Sequence, residues 1–378
     1  MKLQNTTDML MLELLRCVLN GSKIPRDRLL LIDSDALCRT AERHMVAALV
    51  SEALTPYLGD RELFDEAQAK QWKNMKSNNV RRTLMFQGER QKLCAFFEKQ
   101  GIWYMPLKGS ILQELYPAYG LREMVDVDML VDGTRMEEIH DFMLRSGYTA
   151  KEYNISKHDV YEKPPMYEFE LHRYLISKHF TNHYAYYENI RQRLVRQGNT
   201  MEYRFTDNDF YVCLAGYIQR DLFAGGVALK LLMDLYVLRH KVPLDRAYID
   251  AELQKLGATE TEALAASLAE EIFGGTQPVA ETDFDETHYE MLNDILISGS
   301  SKTYEKYIEN KLKAKGGSKL KYAVSRLHLP PERVKAMYPY FYEHKAARPF
   351  LIFYRLYAAA TFKRQKVKNE LNTIHRKS

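Results

Sequence analysis

The stretch YMPLKGSILQELYPAYGLREMVDVDMLVD, from Tyr104 to Asp132, constrains the fold more than any other part of the chain. An apolar run ends in Lys108-Gly109-Ser110, and Ser110 to Tyr116 then has the apolar spacing of a short amphipathic helix. Val125 to Val131 alternates with the period of a strand. Because side chains alternate across a strand, Asp126 and Asp128 are expected on one face and Val125, Val127 and Met129 on the other. Two carboxylates in phase offer oxygen ligands to a hard divalent cation, and Mg²⁺ is the natural ion where phosphate is handled. A Gly-Ser turn that opens a helix presents backbone N–H groups to phosphate. The whole unit therefore predicts phosphoryl-transfer chemistry.

A further carboxylate comes from Tyr167-Glu168-Phe169-Glu170-Leu171-His172, which alternates strictly. Glu168, Glu170 and His172 are expected on the face opposite Tyr167, Phe169 and Leu171.

The order Leu107-Lys108-Gly109, Tyr116-Pro117, Arg122, Asp126-Val127-Asp128 resembles the DNA polymerase beta-like nucleotidyltransferase superfamily. Within it, the likeness is strongest to the uncharacterised nucleotidyltransferase family found widely in bacteria. The resemblance spans about residues 81–240. It implies that Lys108, Gly109 and Ser110, with Arg122, hold the phosphates of a nucleoside triphosphate. It also implies that Asp126, Asp128 and Glu170 bind two Mg²⁺ ions, with Mn²⁺ as a substitute. His172, two positions beyond Glu170, then orients that carboxylate or touches substrate. A Gly, a basic residue and an Asp on a later helix also belong to the pattern, and Gly226, Lys230 and Asp234 resemble that order. Lys230 stands where Arg is expected, which keeps the charge but removes bidentate geometry.

The activity implied is Mg²⁺-dependent transfer of a nucleoside monophosphate from a triphosphate to an acceptor hydroxyl on a small molecule, RNA or protein. The alternative is a catalytically inactive nucleotidyltransferase-like scaffold that binds nucleotide or a partner. Clustered carboxylates repel one another without a metal, which favours the enzyme. Each residue also has a plainer reading. An isolated Asp-x-Asp is often a solvated turn, Lys108 could lie along the strand end, Arg122 could pair with Glu123 or Asp126, Glu168 could face solvent, and Asp234 could be a helix-packing residue.

At 378 residues the chain exceeds one typical domain. The fold class expected is α+β, with a small mixed-sheet core flanked by helical regions. The divisions are an N-terminal helical region over 1–80, the nucleotidyltransferase-like core over 81–205, and a C-terminal helical region with a basic tail over 206–378. Helices are expected at about 7–20, from 33 to 54, from 62 to 100, at 134–146, at 207–222 and 227–240, and continuously over 244–273. Strands are expected at 102–105, 148–153 and 158–162 besides the two above, with helix again from Thr181 onward.

The net charge of +4 says little about partners, but its distribution says more. Nine Lys or Arg residues stand against the single acid Glu370 from His344 to the end, so the rest of the chain is on balance acidic. The aromatic run from Phe350 to Tyr357, followed by Lys363, Arg364, Lys366 and Lys368, would suit contact with an anionic surface; the ordinary alternative is a packed helix with a solvated end. Cys17, Cys38, Cys94 and Cys213 are too scattered for a disulfide or zinc framework. The N-terminus lacks the pattern of a secretory signal. No stretch stays uncharged for the roughly 20 residues of a membrane span. A cytoplasmic location is the expectation.

Overall fold

The computed structural model describes residues 6–30, 32–178, 180–224, 227–275, 284–299 and 339–361, together with Val279, Ser318, Lys319 and Val334. The chain is α+β. It opens on helices α1 (Thr6–Leu19), α2 (Ser34–His44) and α3 (Ala47–Leu54). The Asp33 carboxylate starts α2 by accepting from the Ala36 N–H at 2.8 Å. The single helix expected from 33 to 54 breaks at Met45, which takes a left-handed φ of 56°. Val46 to Val50 is apolar and buried on every side. The break turns that run into the core, where one straight helix would leave part of it outside.

Helix α4 (Glu66–Gln100) begins in a reciprocal cap between Asp65 and Gln68 and ends at the left-handed Gly101. Its first half places Trp72 among the other helices, and its second half places Phe86, Leu93 and Phe97 beneath a sheet. That sheet comprises β1 (Tyr104–Pro106), β2 (Val127–Val131), β3 (Thr149–Glu152), β4 (His158–Lys163) and β5 (Tyr167–His172), ordered β1-β2-β5-β4-β3. Only the central β2–β5 pair among these is parallel. Helix α5 (Gly109–Leu112) is a single turn continued by a 3₁₀ turn to Leu115, shorter than the helix expected to Tyr116, and α6 (Met136–Arg145) covers the sheet.

After α7 (Thr181–Tyr187) the helix expected from Thr181 onward is interrupted before Asp207. A hairpin of β6 (Leu194–Arg196) and β7 (Tyr203–Phe205) intervenes. Its strands are three residues each and carry Arg196 and Arg204, too short and polar for alternation to register. Contact with the main sheet supports the hairpin, since Tyr104 N–H donates to the Met201 carbonyl at 3.0 Å.

Helices α8 (Asp207–Ala224), α9 (Leu229–Lys241), α10 (Arg246–Leu256), α11 (Thr259–Phe273) and α12 (Glu286–Ser298) follow. The helix expected over 244–273 is two helices, separated at Gly257 with φ 73°. Leu231 to Leu238 of α9 is buried throughout. Arg16 of α1 donates to the Ile272 and Glu271 carbonyls at 2.6 and 2.8 Å, which joins the first helix to the end of α11. The described C-terminal part comprises α13 (Pro339–Glu343) and α14 (Phe350–Thr361). Leu351 turns inward, whereas Phe350, Phe353 and Tyr354 are 64%, 68% and 50% exposed. The basic residues Lys363, Arg364, Lys366 and Lys368 lie outside the described residues. All four cysteines are free thiols. Among the described residues, no helix is long and apolar enough to cross a membrane.

His44, at the end of α2, is completely buried. Burial, followed by the Arg43 charge beside it, pushes its imidazole from 6.5 down to about 3. The fold accepts the neutral ring, so its contribution is intact above pH 6.5 and is lost as pH falls toward 3. Between pH 6 and 4, the stability of wild type relative to His44→Gln should fall by about 1.4 kcal/mol per pH unit in denaturant titrations. Parallel stability curves for the two proteins would contradict this.

Candidate active site

The parallel ladder sets Val127 opposite Phe169, Asp128 opposite Glu170, and Leu130 opposite His172. Val127, Met129, Phe169 and Leu171 enter the apolar cluster beneath the sheet. Period-two alternation then turns Asp128, Glu170 and His172 to the other face. Asp126 lies one residue before β2 and so is not part of the strand expected from Val125. It still reaches the same place: one carboxylate oxygen each from Asp126, Glu168 and Glu170 lie within 4.8 Å of one another. Glu168, which sequence alone places on this face as a solvent-facing or supporting acid, belongs to this group.

Asp128 is held differently. Its Oδ1 accepts from His172 Nε2 at 2.9 Å, and its Oδ2 lies 3.4 Å from Lys108 Nζ. Lys157 Nζ stands 3.0 Å from His172 Nδ1. With Lys157 donating there, the ring proton sits on Nε2 and points at Asp128. Burial would raise the Asp128 carboxyl, but Lys108, the His172 hydrogen bond and Lys157 outweigh it and hold Asp128 well below the usual carboxylate range.

Glu170 approaches His158 Nδ1 at 3.2 Å and His172 Nε2 at 3.5 Å. Burial again opposes ionisation, yet the His172 and His158 contacts hold Glu170 below its ordinary value despite the neighbouring Asp128 charge. Burial pushes His158 down to about 4, so its ring is neutral near pH 7. The face thus carries ionised carboxylates beside neutral or hydrogen-bonded imidazoles.

The turn beside this face is tightly constrained. Lys108 adopts φ 38° and ψ −104°, a strained conformation for a residue with a side chain. A Cβ on Gly109 would collide with the Arg122 guanidinium and the Met124 sulfur. The Ser110 N–H donates to the Leu107 carbonyl at 3.2 Å, so the Ser110 group left to offer a phosphate is its hydroxyl.

Arg122 lies against the Gly109 backbone and forms a two-pronged pair with Asp234 of α9 at 2.7 and 2.6 Å. Tyr116 Oη donates to the same carboxylate at 2.7 Å. Lys230 Nζ donates to the Glu123 carbonyl at 3.2 Å, and Glu123 Oε1 accepts from the Ala48 N–H at 2.8 Å at the start of α3. Burial, followed by the nearby Arg122 charge, brings Lys230 down to about 8. Arg122, Lys230 and Asp234 therefore form a buried junction between the sheet unit and α9. Gly226 lies outside the described residues.

Sequence reasoning missed Lys157, His158, Tyr217 and Arg220. The Tyr217 ring of α8 lies 4.7 Å from Lys108 Nζ and 4.8 Å from the Arg220 guanidinium carbon. The packing of α8 and the β3–β4 loop brings Tyr217, Arg220 and Lys157 here, and His158 comes from its place opposite His172 in the β4–β5 ladder.

A family model described as uncharacterised nucleotidyltransferase matches residues 31–274. The chain belongs to that family. No curated protein and no solved structure matches it. Membership supports a general nucleotidyltransferase role, and the matched span contains every residue of the junction and of the carboxylate face.

Arg122→Met should destabilise the protein by about 3–5 kcal/mol, because Asp234 is then buried without its partner. Adding Asp234→Asn should restore much of that loss in a double-mutant cycle read by chemical denaturation. Strict additivity would contradict the pairing. Gly109→Ala should cost about 1–3 kcal/mol through overpacking against Arg122 and Met124, and an unchanged denaturation midpoint would contradict the close approach.

Proposed function

We propose that the protein transfers a nucleoside monophosphate from a nucleoside triphosphate to an acceptor hydroxyl with the help of divalent cations. The observation that carries this reading is the convergence of Asp126, Glu168 and Glu170, with Asp128 opposite Glu170 in the ladder, beside the Gly109-Ser110 turn. An all-oxygen donor set suits a hard cation such as Mg²⁺, with Mn²⁺ the next choice. Asp126, Asp128 and Glu170 would hold the ions, and Glu168 would complete the donor set. When bound, such ions neutralise phosphate charge and lower the pKa of an attacking hydroxyl.

The chain's own groups do the rest. His172 aims Asp128 and, through its contact at 3.5 Å, restrains Glu170. Lys108 offers a charge to the phosphates and to the departing pyrophosphate. The missing side chain of Gly109 lets Arg122 and Met124 pack against the turn, and the Ser110 hydroxyl is the group that would donate to a phosphate. Arg122, Asp234 and Lys230 hold this turn against α9, so their role is positioning. Nucleotidyl transfer depends chiefly on such placement and on charge neutralisation, and requires no covalent nucleophile.

Pyrophosphate release from each of ATP, GTP, CTP and UTP with Mg²⁺ tests the reading, first by hydrolysis and then with hydroxyl-bearing acceptors. Asp126→Asn, Asp128→Asn or Glu170→Gln should each lower the rate by about 10²–10³-fold, the scale of losing one preorganised charge. Chelation should abolish release, and Mn²⁺ should restore it. Release indifferent to chelation and to all three substitutions would overturn the proposal.

A further inference from the structure

Three cationic side chains gather beside the carboxylate face from parts of the chain far apart in sequence. Lys108 comes from the turn after β1, Lys157 from the residue before β4, and Arg220 from α8. Lys108 and Arg220 lie against the same Tyr217 ring, an arrangement that fixes both heads and attracts each to the ring. Lys108 shares Asp128 with His172, and Lys157 meets a ring nitrogen in place of a carboxylate. Arg220 is engaged by Asp221, at 2.7 Å through its Nε. Asp128 and Asp221 thus face Lys108 and Arg220, which leaves Lys157 as the cation of the three held against a ring nitrogen. Burial, together with the Arg220 and Lys108 charges, pushes Lys157 down to about 7, which reflects the same crowding.

The loop that carries Lys157 is firmly held. Arg173 Nη1 and Nη2 donate to Asn154 Oδ1 and Asp159 Oδ1, both at 2.6 Å. The Asn154 N–H also donates to Asp159 at 2.7 Å, and the Arg173 N–H donates to the Lys157 carbonyl at 2.9 Å. Such fixing places an ammonium where it would repel its neighbours unless an anion came between them. A cation wall next to a carboxylate cluster matches a polyphosphate that carries divalent cations on one side and bare oxygens on the other.

We infer that Lys157 and Arg220, with Lys108 and the Tyr217 ring, form the polyphosphate-binding wall of this site, so that the donor triphosphate is gripped jointly by the β3–β4 loop and by α8. This inference rests on the nucleotidyltransferase reading for the identity of the triphosphate. The chemistry it requires is recognition of three linked phosphates, independent of the base and of the acceptor.

Calorimetry with Mg²⁺ and ATP, AMP or inorganic tripolyphosphate tests the wall on wild type, Lys157→Gln and Arg220→Gln, with thermal melts confirming that each variant folds. Each substitution should weaken ATP and tripolyphosphate by about tenfold or more, the worth of one charge-assisted phosphate contact, and leave AMP within about twofold. Equal loss for AMP, or no loss for tripolyphosphate, would overturn the inference. A footprint on the unmodified protein covers variants that fail to fold: tripolyphosphate with Mg²⁺ should protect Lys157 from amine acetylation, and AMP should not. Unprotected Lys157 at saturating tripolyphosphate would also overturn it. Tripolyphosphate binding lost in the variants, but with no preference for any nucleotide, would support the wall while defeating the nucleotidyltransferase reading. A wild-type protein that binds neither ATP nor tripolyphosphate would defeat both.

Discussion

In the parallel ladder between β2 and β5, Asp128 stands opposite Glu170 while Val127 stands opposite Phe169 and packs beneath the sheet. The apolar side of this pairing sets the register, since a slip of one residue would send Val127 and Met129 to the open face and the acids into the core. Burial of one face thus forces carboxylates together on the other, against their mutual repulsion. His172 and Lys108 relieve that repulsion at Asp128, and His172 also lies close to Glu170. The remaining charge pattern, carboxylates at one side and cations at the other, follows from this one pairing and from the elements packed over it.

Rigidity of the adjacent turn comes from elsewhere in the chain. Lys108 keeps an unfavourable backbone conformation because Gly109 is pressed against Arg122, and Arg122 is fixed by Asp234 in the middle of a fully buried segment of α9. Glu123 and Lys230 extend the tie to α3. The helical regions are therefore more than a surround: they set the shape of the turn, and α8 supplies Tyr217 and Arg220 to the site itself.

Much of the carboxylate face was legible in the sequence. Strict alternation in Tyr167 to His172, and alternation from Val125 to Met129, mark both strands and the faces of Asp128, Glu170 and His172. Convergence of Asp126 with Glu168 was not legible, because Asp126 sits in a bend outside the strand and only β5 in place shows what lies beside it. Helix breaks at Met45 and Gly257 were missed because apolar spacing continues through them, and a left-handed residue leaves no periodic trace. The β6–β7 hairpin was missed for the opposite reason, having too few residues to show a period. The family resemblance points to Arg122 and to Asp234 separately, but their partnership joins positions 112 apart and needs the tertiary fold.

The central claim is that β2 and β5 bring their acids together to hold divalent cations beside the Gly109 turn. Crystals of the protein grown with Mn²⁺ and a non-hydrolysable nucleoside triphosphate analogue, measured at the manganese absorption edge, address it most directly. The account predicts anomalous peaks within about 2.5 Å of carboxylate oxygens from Asp126, Asp128 and Glu170, the contact range of hard cations with oxygen ligands. A bound nucleotide with no peak on that face, or with its metal held by other residues, would contradict it.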